Sequence, residues 1–429
     1  MNKKLIKNII SLYGFSIAKI ILPLITLPYL TRVLSVETYG MIAYVKSIIG
    51  YFQLFIDFGF MFSGTKKIVR LNNNKSDISK VIGNVMLARI FIAVISLPIL
   101  YIICEIIPVL RYEKTYVFLA FIPVILSVFL FDFVFRGLEK MHVLTIRFFA
   151  MKGLSTVFTL FLVKSNSDIL WIPALDIIGS LIALVFVFVE LKKEKLHIKI
   201  EGFKAVFLEL QDSAVFFVSN MSQTIFVALN TLVIGVFLSA SDVAYWSLCI
   251  QMITAIQTMY QPITDGIYPH MVQTKNFSIV KKILCIFMPI IFAGCVFTFF
   301  VAKYALIIIG GGKYAVAANV LRCMTPVMFF GFPCIALGWP SLGAINKDKE
   351  VTVSTIISAI FQLIGLYVLG LTGRFNLMSI AIWRSLTEIL LFSIRTFLCI
   401  KNRKEFVGSI FNLSPIGDRH QEQIVNERG

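Results

Sequence analysis

Twelve apolar stretches of about 20 residues alternate with short polar connections along the chain. A membrane-spanning helix needs about 20 mostly apolar residues, so this pattern predicts an all-α polytopic membrane protein. The longest connection, 191–213, is rich in lysine. It could include a short amphipathic helix on the membrane surface. The predicted spans are 9–31, 40–64, 81–103, 115–135, 142–163, 169–190, 214–238, 243–265, 283–303, 320–342, 351–371 and 376–400.

Composition supports the membrane interpretation. Hydrophobic residues make up 58% of the chain and charged residues 15%, whereas soluble domains have about 45–50% and 25%. This excludes a soluble enzyme, a disordered protein and a disulfide scaffold. The seven cysteines form no CxxC motif and the four histidines are scattered, so we expect no metal site.

The basic residues predict the orientation. The net charge is +17, which in a soluble chain would suggest nucleic acid, but in a membrane protein lysine and arginine collect in cytoplasmic loops. Of the 40 lysines and arginines, 25 lie in the N-terminus, the tail and the loops between even and odd spans, and 7 lie in the opposite loops. Both termini are therefore predicted to be cytoplasmic, with no nucleic-acid partner. Residues 9–31 are predicted to be a first span rather than a cleaved signal.

A short internal similarity indicates a repeat. Residues 34–40 (LSVETYG) enter span 2, and residues 238–244 (LSASDVA) enter span 8, about half the chain later. We interpret the chain as two six-helix lobes related as a parallel repeat, an arrangement that places a substrate path at the interface between the repeats. The N-terminal lobe is predicted to be 1–203, with the basic inter-lobe loop at 191–213. The C-terminal lobe is predicted to be 204–400, followed by a polar cytoplasmic tail, 401–429.

Polar residues follow one face of several spans. Steps of three and four residues place side chains on the same side of a helix. Such stripes face a water-filled cavity or a polar helix interface rather than lipid, and hydrogen bonds between helices are the alternative for each stripe. The two clearest stripes are Lys46, Gly50, Gln53 and Asp57 in span 2, and Gln251, Thr254, Thr258, Gln261 and Asp265 in span 8.

Basic residues inside spans are candidates for binding an anion. Each costs roughly 2.5–3.5 kcal/mol at the bilayer centre unless it is hydrated or paired. Arginines near span ends have a second interpretation, because they can extend to the membrane surface, and Arg384 can be neutralised by Glu388 four residues later. We expect a cationic cavity, suited to a pyrophosphate, lined by Lys19, Lys46, Arg89, Arg147 and Lys152.

Five carboxylates also fall within or beside spans. Asp57, Asp132 and Asp265 lie near the cytoplasmic ends, where pairing with loop lysines is the simplest expectation. Asp176 and Glu388 lie deeper. Because desolvation favours the protonated form of a carboxyl group, these two are candidates for coupling transport to an ion.

Four segments carry a resemblance to a known family. They are 28–40 (PYLTRVLSVETYG), 57–60 (DFGF), 135–141 (FRGLEKM) and 312–318 (GKYAVAA). Their order and spacing resemble the polysaccharide-unit (O-antigen type) flippases of the multidrug/oligosaccharidyl-lipid/polysaccharide exporter superfamily, over about residues 5–400.

The resemblance implies a fold and an activity. The fold would be two six-helix lobes that form a V around a central cavity in the bacterial inner membrane. The activity would be transfer of an undecaprenyl-pyrophosphate-linked oligosaccharide from the cytoplasmic to the periplasmic leaflet by alternating access. The resemblance implies no cofactor, a proton or sodium gradient as the driving force, and a polysaccharide polymerase and a chain-length regulator as further candidate partners.

Other functions stay open at this point. A multidrug/cation antiporter of the same fold would need acids and aromatics in its cavity, and the basic excess argues against it. A lipid-linked peptidoglycan precursor flippase often has more than twelve spans. A membrane polysaccharide polymerase or glycosyltransferase would need catalytic residues on a large external loop, and the sequence predicts no such loop.

Overall fold

The computed structural model describes residues 21–71 and 74–406, and this part of the chain is helical without β-strands. Short 3-10 turns, such as Gly312–Ala317, join several of the helices. The α-helices are α1 (Ile21–Val33), α2 (Val36–Asp57), α3 (Phe60–Arg70), α4 (Lys75–Ile106), α5 (Pro108–Arg111), α6 (Lys114–Ser127), α7 (Asp132–Gly137), α8 (Met141–Phe148), α9 (Leu154–Leu162), α10 (Trp171–Lys193), α11 (Phe203–Phe237), α12 (Ala240–Thr258), α13 (Gln261–Thr274), α14 (Phe277–Gly310), α15 (Ala318–Cys323), α16 (Thr325–Leu337), α17 (Asp348–Leu371) and α18 (Leu377–Lys401).

The all-α membrane fold predicted from the sequence is confirmed. In the described residues, nine helical segments are long and apolar enough to cross a bilayer, and they coincide with predicted spans 2–6 and 9–12. Helix α11 occupies the position of span 7, α12 and α13 that of span 8, and α1 is the described end of span 1. The cytoplasmic location of the termini and the domain boundaries at 203 and 400 stay predictions.

Several spans predicted as single helices are interrupted. Span 2 divides into α2 and α3 because Phe58 and Gly59 adopt left-handed backbone conformations, with φ of 38° and 75°. Span 4 divides at Phe131, with φ of 49°. Span 5 contains a π-helical turn, Phe149–Gly153, between α8 and α9, and span 10 contains another, Gly338–Leu342, after α16. The hydropathy pattern does not reveal these breaks, because the helical segments before and after each break are both apolar.

The repeat inferred from the sequence has a structural counterpart. Ser35 caps α2 by accepting a hydrogen bond from the Thr38 amide, and Ser239 caps α12 by accepting one from the Asp242 amide. Helices α2 and α12 pack side by side, and Glu37 accepts a hydrogen bond from Ser241, 204 residues later, at 3.0 Å. Matching positions of the two halves therefore meet where these helices begin, as expected for a parallel repeat.

The first part of the predicted inter-lobe loop 191–213 is an extended strap, whereas its last part, from Phe203, is helical and forms the start of α11. After α10 ends at Lys193, the chain runs along α4 until α11 begins at Phe203. The Lys199 amide donates to the Ser79 carbonyl at 3.1 Å, and Asn84 exchanges two hydrogen bonds with Glu201, both at 3.1 Å. Because α4 already satisfies these backbone groups, the strap gains little from coiling into a helix.

Buried apolar side chains form one cluster within each half and a third that joins the halves. The first includes Phe131 and Val134, and the second includes Leu342 and Ile345. The joining cluster contains Trp246, which is fully buried. The packing therefore holds the two halves together across the α2–α12 contact.

Candidate functional site

A cavity of about 400 Å³ lies within the first half of the chain. Helices α1, α2, α6 and α10, together with the segment from α8 to α9, form its walls. Three charged side chains line it: Lys46, Lys152 and Asp176. Its other polar lining consists of Thr26, Gln53, Tyr116, Ser127, Ser155, Thr156, Thr159 and Ser180.

Lys152 reaches this cavity from the π-helical turn Phe149–Gly153. Its ammonium forms a 2.7 Å salt bridge with Asp176 on α10, and Ser155 donates to the same carboxylate at 2.7 Å. The turn packs closely on α10, because a Cβ placed on Gly179 would lie 2.5 Å from the Met151 carbonyl oxygen. Single π-helical turns of this kind are often found at functional sites.

The stripe predicted on span 2 faces the same cavity. Lys46 and Gln53 both line it, and Gln53 donates to Ser127 at 3.1 Å. In the described part of the chain, the Lys46 ammonium has no hydrogen bond or salt bridge. The lining therefore combines the accessible cation Lys46, the paired cation Lys152 and several hydroxyl groups. Together these groups can bind a polar anionic ligand.

Arg89 and Arg147 lie outside this lining and are buried against carboxylates. Arg89 pairs with Asp57 and also donates to the Ile56 carbonyl. Arg147 pairs through two nitrogens with Asp132. The expectation that Asp57 and Asp132 pair with loop lysines is therefore wrong, because both carboxylates pair with arginines inside the predicted spans.

Three predicted site residues fall outside what the structure describes. Lys19 precedes the described part of the chain. Gln261 and Asp265 lie on α13, but their side chains are not among those described. Gln251, from the same stripe, donates to the Tyr39 hydroxyl at 3.0 Å. This part of the span 8 stripe is thus a polar contact between the halves.

The second half buries a separate polar cluster. Arg384 and Glu388 form a salt bridge of 2.7 Å, as their spacing suggested, with both side chains less than 8% exposed. Nearby, Gln362 donates to the Asn230 side chain at 2.9 Å and accepts a hydrogen bond from Thr387. The network joins α11, α17 and α18.

The two halves meet at the ends of the helices predicted to face outside. Thr31 donates to the Ile309 carbonyl at 3.0 Å, and Lys313 donates to the Leu34 carbonyl. Partial burial lowers the pKa of the Lys313 ammonium, and the carboxylate of Glu37 opposes that shift. In the predicted orientation these contacts close the external side.

The paired helices α2 and α12 separate further along. A Cβ on Gly40 would lie 1.8 Å from the Ala240 carbonyl oxygen, whereas a Cβ on Gly50 would have no neighbour within 4 Å among the described residues. Thr254, on the polar stripe of α12, is likewise exposed. No described residue therefore fills the space beside these parts of the two polar faces, toward the predicted cytoplasmic side.

Part of the site escaped the sequence reasoning. Ser155, Thr156 and Thr159 were not singled out, although all three lie within a few residues of Lys152 and line the cavity. Ser127 was also missed. The available signal was the density of hydroxyl side chains in span 5, which would be unusual on a face turned to lipid.

Comparison with known proteins gives the family. A family model described as "Polysaccharide biosynthesis protein" matches residues 5–275. Proteins named "Putative O-antigen transporter" from Shigella dysenteriae and Escherichia coli (strain K12) are both 24% identical to this chain, over 399 and 413 residues. The alignments cover 90% and 94% of this chain, and 97% and 98% of the relatives.

Two solved structures share the fold. The lipid II flippase MurJ, in an inward closed conformation, superposes with a TM-score of 0.74 at 13% identity, covering 94% of this chain and 89% of its own. A multidrug resistance transporter of the MATE family, of the MOP superfamily, in an inward-facing conformation, superposes with a TM-score of 0.72 at 14% identity, covering 89% and 96%. The predicted MATE-like architecture is thereby confirmed. Since the family model spans more than half of the 429 residues, the chain belongs to the polysaccharide biosynthesis protein family and is a multi-pass protein of the bacterial inner membrane with the MOP-superfamily fold.

Proposed function

We propose that this protein is a flippase that moves undecaprenyl-pyrophosphate-linked polysaccharide repeat units from the cytoplasmic to the periplasmic leaflet. The observation that carries the proposal is the cavity with Lys46 and Lys152, in a molecule closed on its predicted external side. The name shared by the two relatives and the fold shared with a lipid II flippase support the same class of substrate. The protein acts as a transporter, not as an enzyme.

The proposed mechanism is alternating access. The pyrophosphate and the first sugars enter from the cytoplasmic side while the lipid tail stays in the bilayer. Lys46 and Lys152 bind the phosphates, and the hydroxyl groups of the lining bind sugar oxygens. The two halves then separate at the α2–α12 contact, and the cavity opens outward.

The primary experiment tests the lysines in a host from which the gene has been deleted. The wild-type gene should restore surface polysaccharide, whereas Lys46→Gln should reduce transfer about 10- to 150-fold, the effect of losing one hydrogen bond to a charged group. Lys192→Gln is the matched control, because Lys192 is an exposed lysine at the end of α10, away from the cavity. In the Lys46→Gln strain, repeat units that are not transferred should accumulate on the cytoplasmic face of the membrane.

Lys152 needs a second variant, since its removal also leaves Asp176 without a cation. The double variant Lys152→Gln/Asp176→Asn removes both charges. If Lys152 binds substrate, the folded double variant retains less lipid-linked substrate than Asp176→Asn alone, which keeps the Lys152 charge and shares any loss of ion coupling. Recovery of transport in the double variant would assign the pair a structural role only.

Ion coupling is proposed to involve Asp176 or Glu388. Transport in proteoliposomes should then depend on an imposed proton or sodium gradient, and Asp176→Asn or Glu388→Gln should remove that dependence. Normal gradient dependence in both variants would exclude these carboxylates.

The same deletion strain separates the other functions. Units that reach the periplasmic face but remain unpolymerised would identify a polymerase. Unchanged polysaccharide with altered drug sensitivity would identify a multidrug/cation antiporter. A polysaccharide polymerase and a chain-length regulator are proposed partners, and co-purification from the host membrane tests them.

A further inference from the structure

An aromatic groove runs along the lipid-facing side of the second half. Its volume is about 350 Å³, and it lies between α14 and α16. Helix α14 is largely uncovered by the rest of the described chain, with only 11% of its most apolar window buried. The lining includes Phe292, Val296, Phe299, Phe300, Phe329 and Phe330.

Two cations stand at one end of this groove. Arg322 donates to the Phe299 carbonyl at 3.0 Å and lies over the Phe299 ring, 5.8 Å from its centroid. Lys303 follows Phe299 by four residues, which places it on the same face of α14. Among the described residues, neither Lys303 nor Arg322 forms a salt bridge.

The position of these cations along α14 sets their depth. Lys282 and Lys303 are 21 residues apart in this helix, which at 1.5 Å per residue is about 32 Å, close to the thickness of the hydrocarbon core. The exposed Tyr304 is typical of the interfacial belt. Lys303 therefore lies at the edge of the bilayer, and Phe299, which holds Arg322, lies about 6 Å deeper.

An unneutralised arginine at this depth is costly. Arg322 is one of the arginines near span ends that could extend to the membrane surface. Its hydrogen bonds to the Phe299 carbonyl and, at 2.9 Å, to Asn319 hold it beside the groove instead. These neutral acceptors do not cancel its charge. A phosphate at the edge of the bilayer would do so, and its acyl chain would extend directly into the aromatic groove.

We propose that this groove is a binding site for one anionic phospholipid of the leaflet in which α14 ends, the outer leaflet in the predicted orientation. Lys303 and Arg322 bind the phosphate, and the phenylalanines of the groove contact the acyl chain. The site lies on the lipid-facing side of the second half, apart from the cavity of the first half, so it does not depend on the proposed transport function.

The test uses the purified full-length protein with phosphatidylglycerol or phosphatidylcholine added, and native mass spectrometry to count retained lipids. The protein should retain one phosphatidylglycerol in preference to phosphatidylcholine. Arg322→Gln and Lys303→Gln should each weaken retention about fivefold, the effect of one cation near a membrane surface. Arg374→Gln is the matched control, because Arg374 is an exposed cation on the same predicted side, away from the groove.

A second variant separates the groove from the charges. Val296→Trp fills the groove with both cations in place and should reduce phosphatidylglycerol retention as well. Equal retention of the two lipids, or an equal loss in Arg374→Gln, would overturn the proposal in favour of general surface charge. A dimer that excludes the lipid would instead assign the groove to a second copy of the chain, and displacement by an undecaprenyl phosphate would assign it to the transported lipid. Either result would also refute the phospholipid site.

Discussion

Replacing Gly40 with alanine should shift the protein away from its externally closed conformation. Gly40 is where α2 approaches α12 most closely, and an added Cβ would lie 1.8 Å from the Ala240 carbonyl oxygen. Ordinary van der Waals contact begins near 3.4 Å, so the helices would have to separate by about 1.6 Å. In a conformation where the halves have already moved apart at this end, the same methyl group costs nothing.

The size of the shift follows from packing energies. Adding a methylene to a tightly packed contact typically costs about 1–3 kcal/mol. Since 1.4 kcal/mol corresponds to a factor of ten, the ratio of closed to open molecules should fall about 5- to 150-fold. Such a shift is large enough to detect and should slow transport, because the cytoplasmic-facing state would be less populated than in the wild type.

The assay measures how often the external ends meet. Glu37 and Ser241 lie within hydrogen-bonding distance, at 3.0 Å, so cysteines at both positions should be cross-linked by a short bifunctional thiol reagent. Cys285, the exposed member of the seven native cysteines, is first replaced by serine. In this background, Gly40→Ala should lower the cross-linked fraction.

Gly50→Ala is the matched control. Gly50 lies on the same helix, and an added Cβ there would meet no atom of the described part of the chain within 4 Å. Both substitutions raise helix propensity by about 1 kcal/mol, so only the steric effect differs. Equal cross-linking in the two folded variants would refute the argument that the α2–α12 contact controls the closed state.

Two further predictions concern stability in the second half. Glu388→Gln removes the carboxylate that pairs with Arg384 and should lower the unfolding free energy by about 3 kcal/mol. In thermal unfolding, the double variant Arg384→Met/Glu388→Leu should recover part of this loss. Equal destabilisation by the two variants would contradict the prediction. Gly365→Ala should destabilise by about 1–3 kcal/mol, because its Cβ would overlap the Trp383 indole at 1.6 Å. Gly370→Ala should be neutral or stabilising, because no described residue lies within 4 Å of its Cβ. An unchanged melting temperature in Gly365→Ala would count against this packing.

The parts of the fold that were predictable from sequence are those that depend on local pattern. Hydropathy located the spans because a helix that crosses the hydrocarbon core needs about 20 mostly apolar side chains, and i,i+4 spacing found the Arg384–Glu388 pair. The pairing of Arg89 with Asp57 could not be read in this way, since the two residues lie on different helices. Only the tertiary packing brings such residues together.

Span 5 shows a signal that was present but not used. Arg147 and Lys152 are five residues apart, which places them about 140° apart around an α-helix. They could not easily face one cavity, and the structure places only Lys152 in the lining. The π-helical turn at Phe149–Gly153, by contrast, was not predicted from the sequence; it packs closely against Gly179, which is distant along the chain.

The repeat also explains why the proposed binding site is asymmetric. The offset of 204 residues that relates the helix caps Ser35 and Ser239 places Ile250 at the position equivalent to Lys46. The cation facing the first cavity thus has an apolar counterpart. In the second half, Arg384 and Glu388 neutralise one another, and the buried Arg395 donates to the Cys334 carbonyl, Ser354 and Thr355. A pyrophosphate in the cavity of the first half would therefore be held by that half, while the second half could move relative to it without carrying the bound charge.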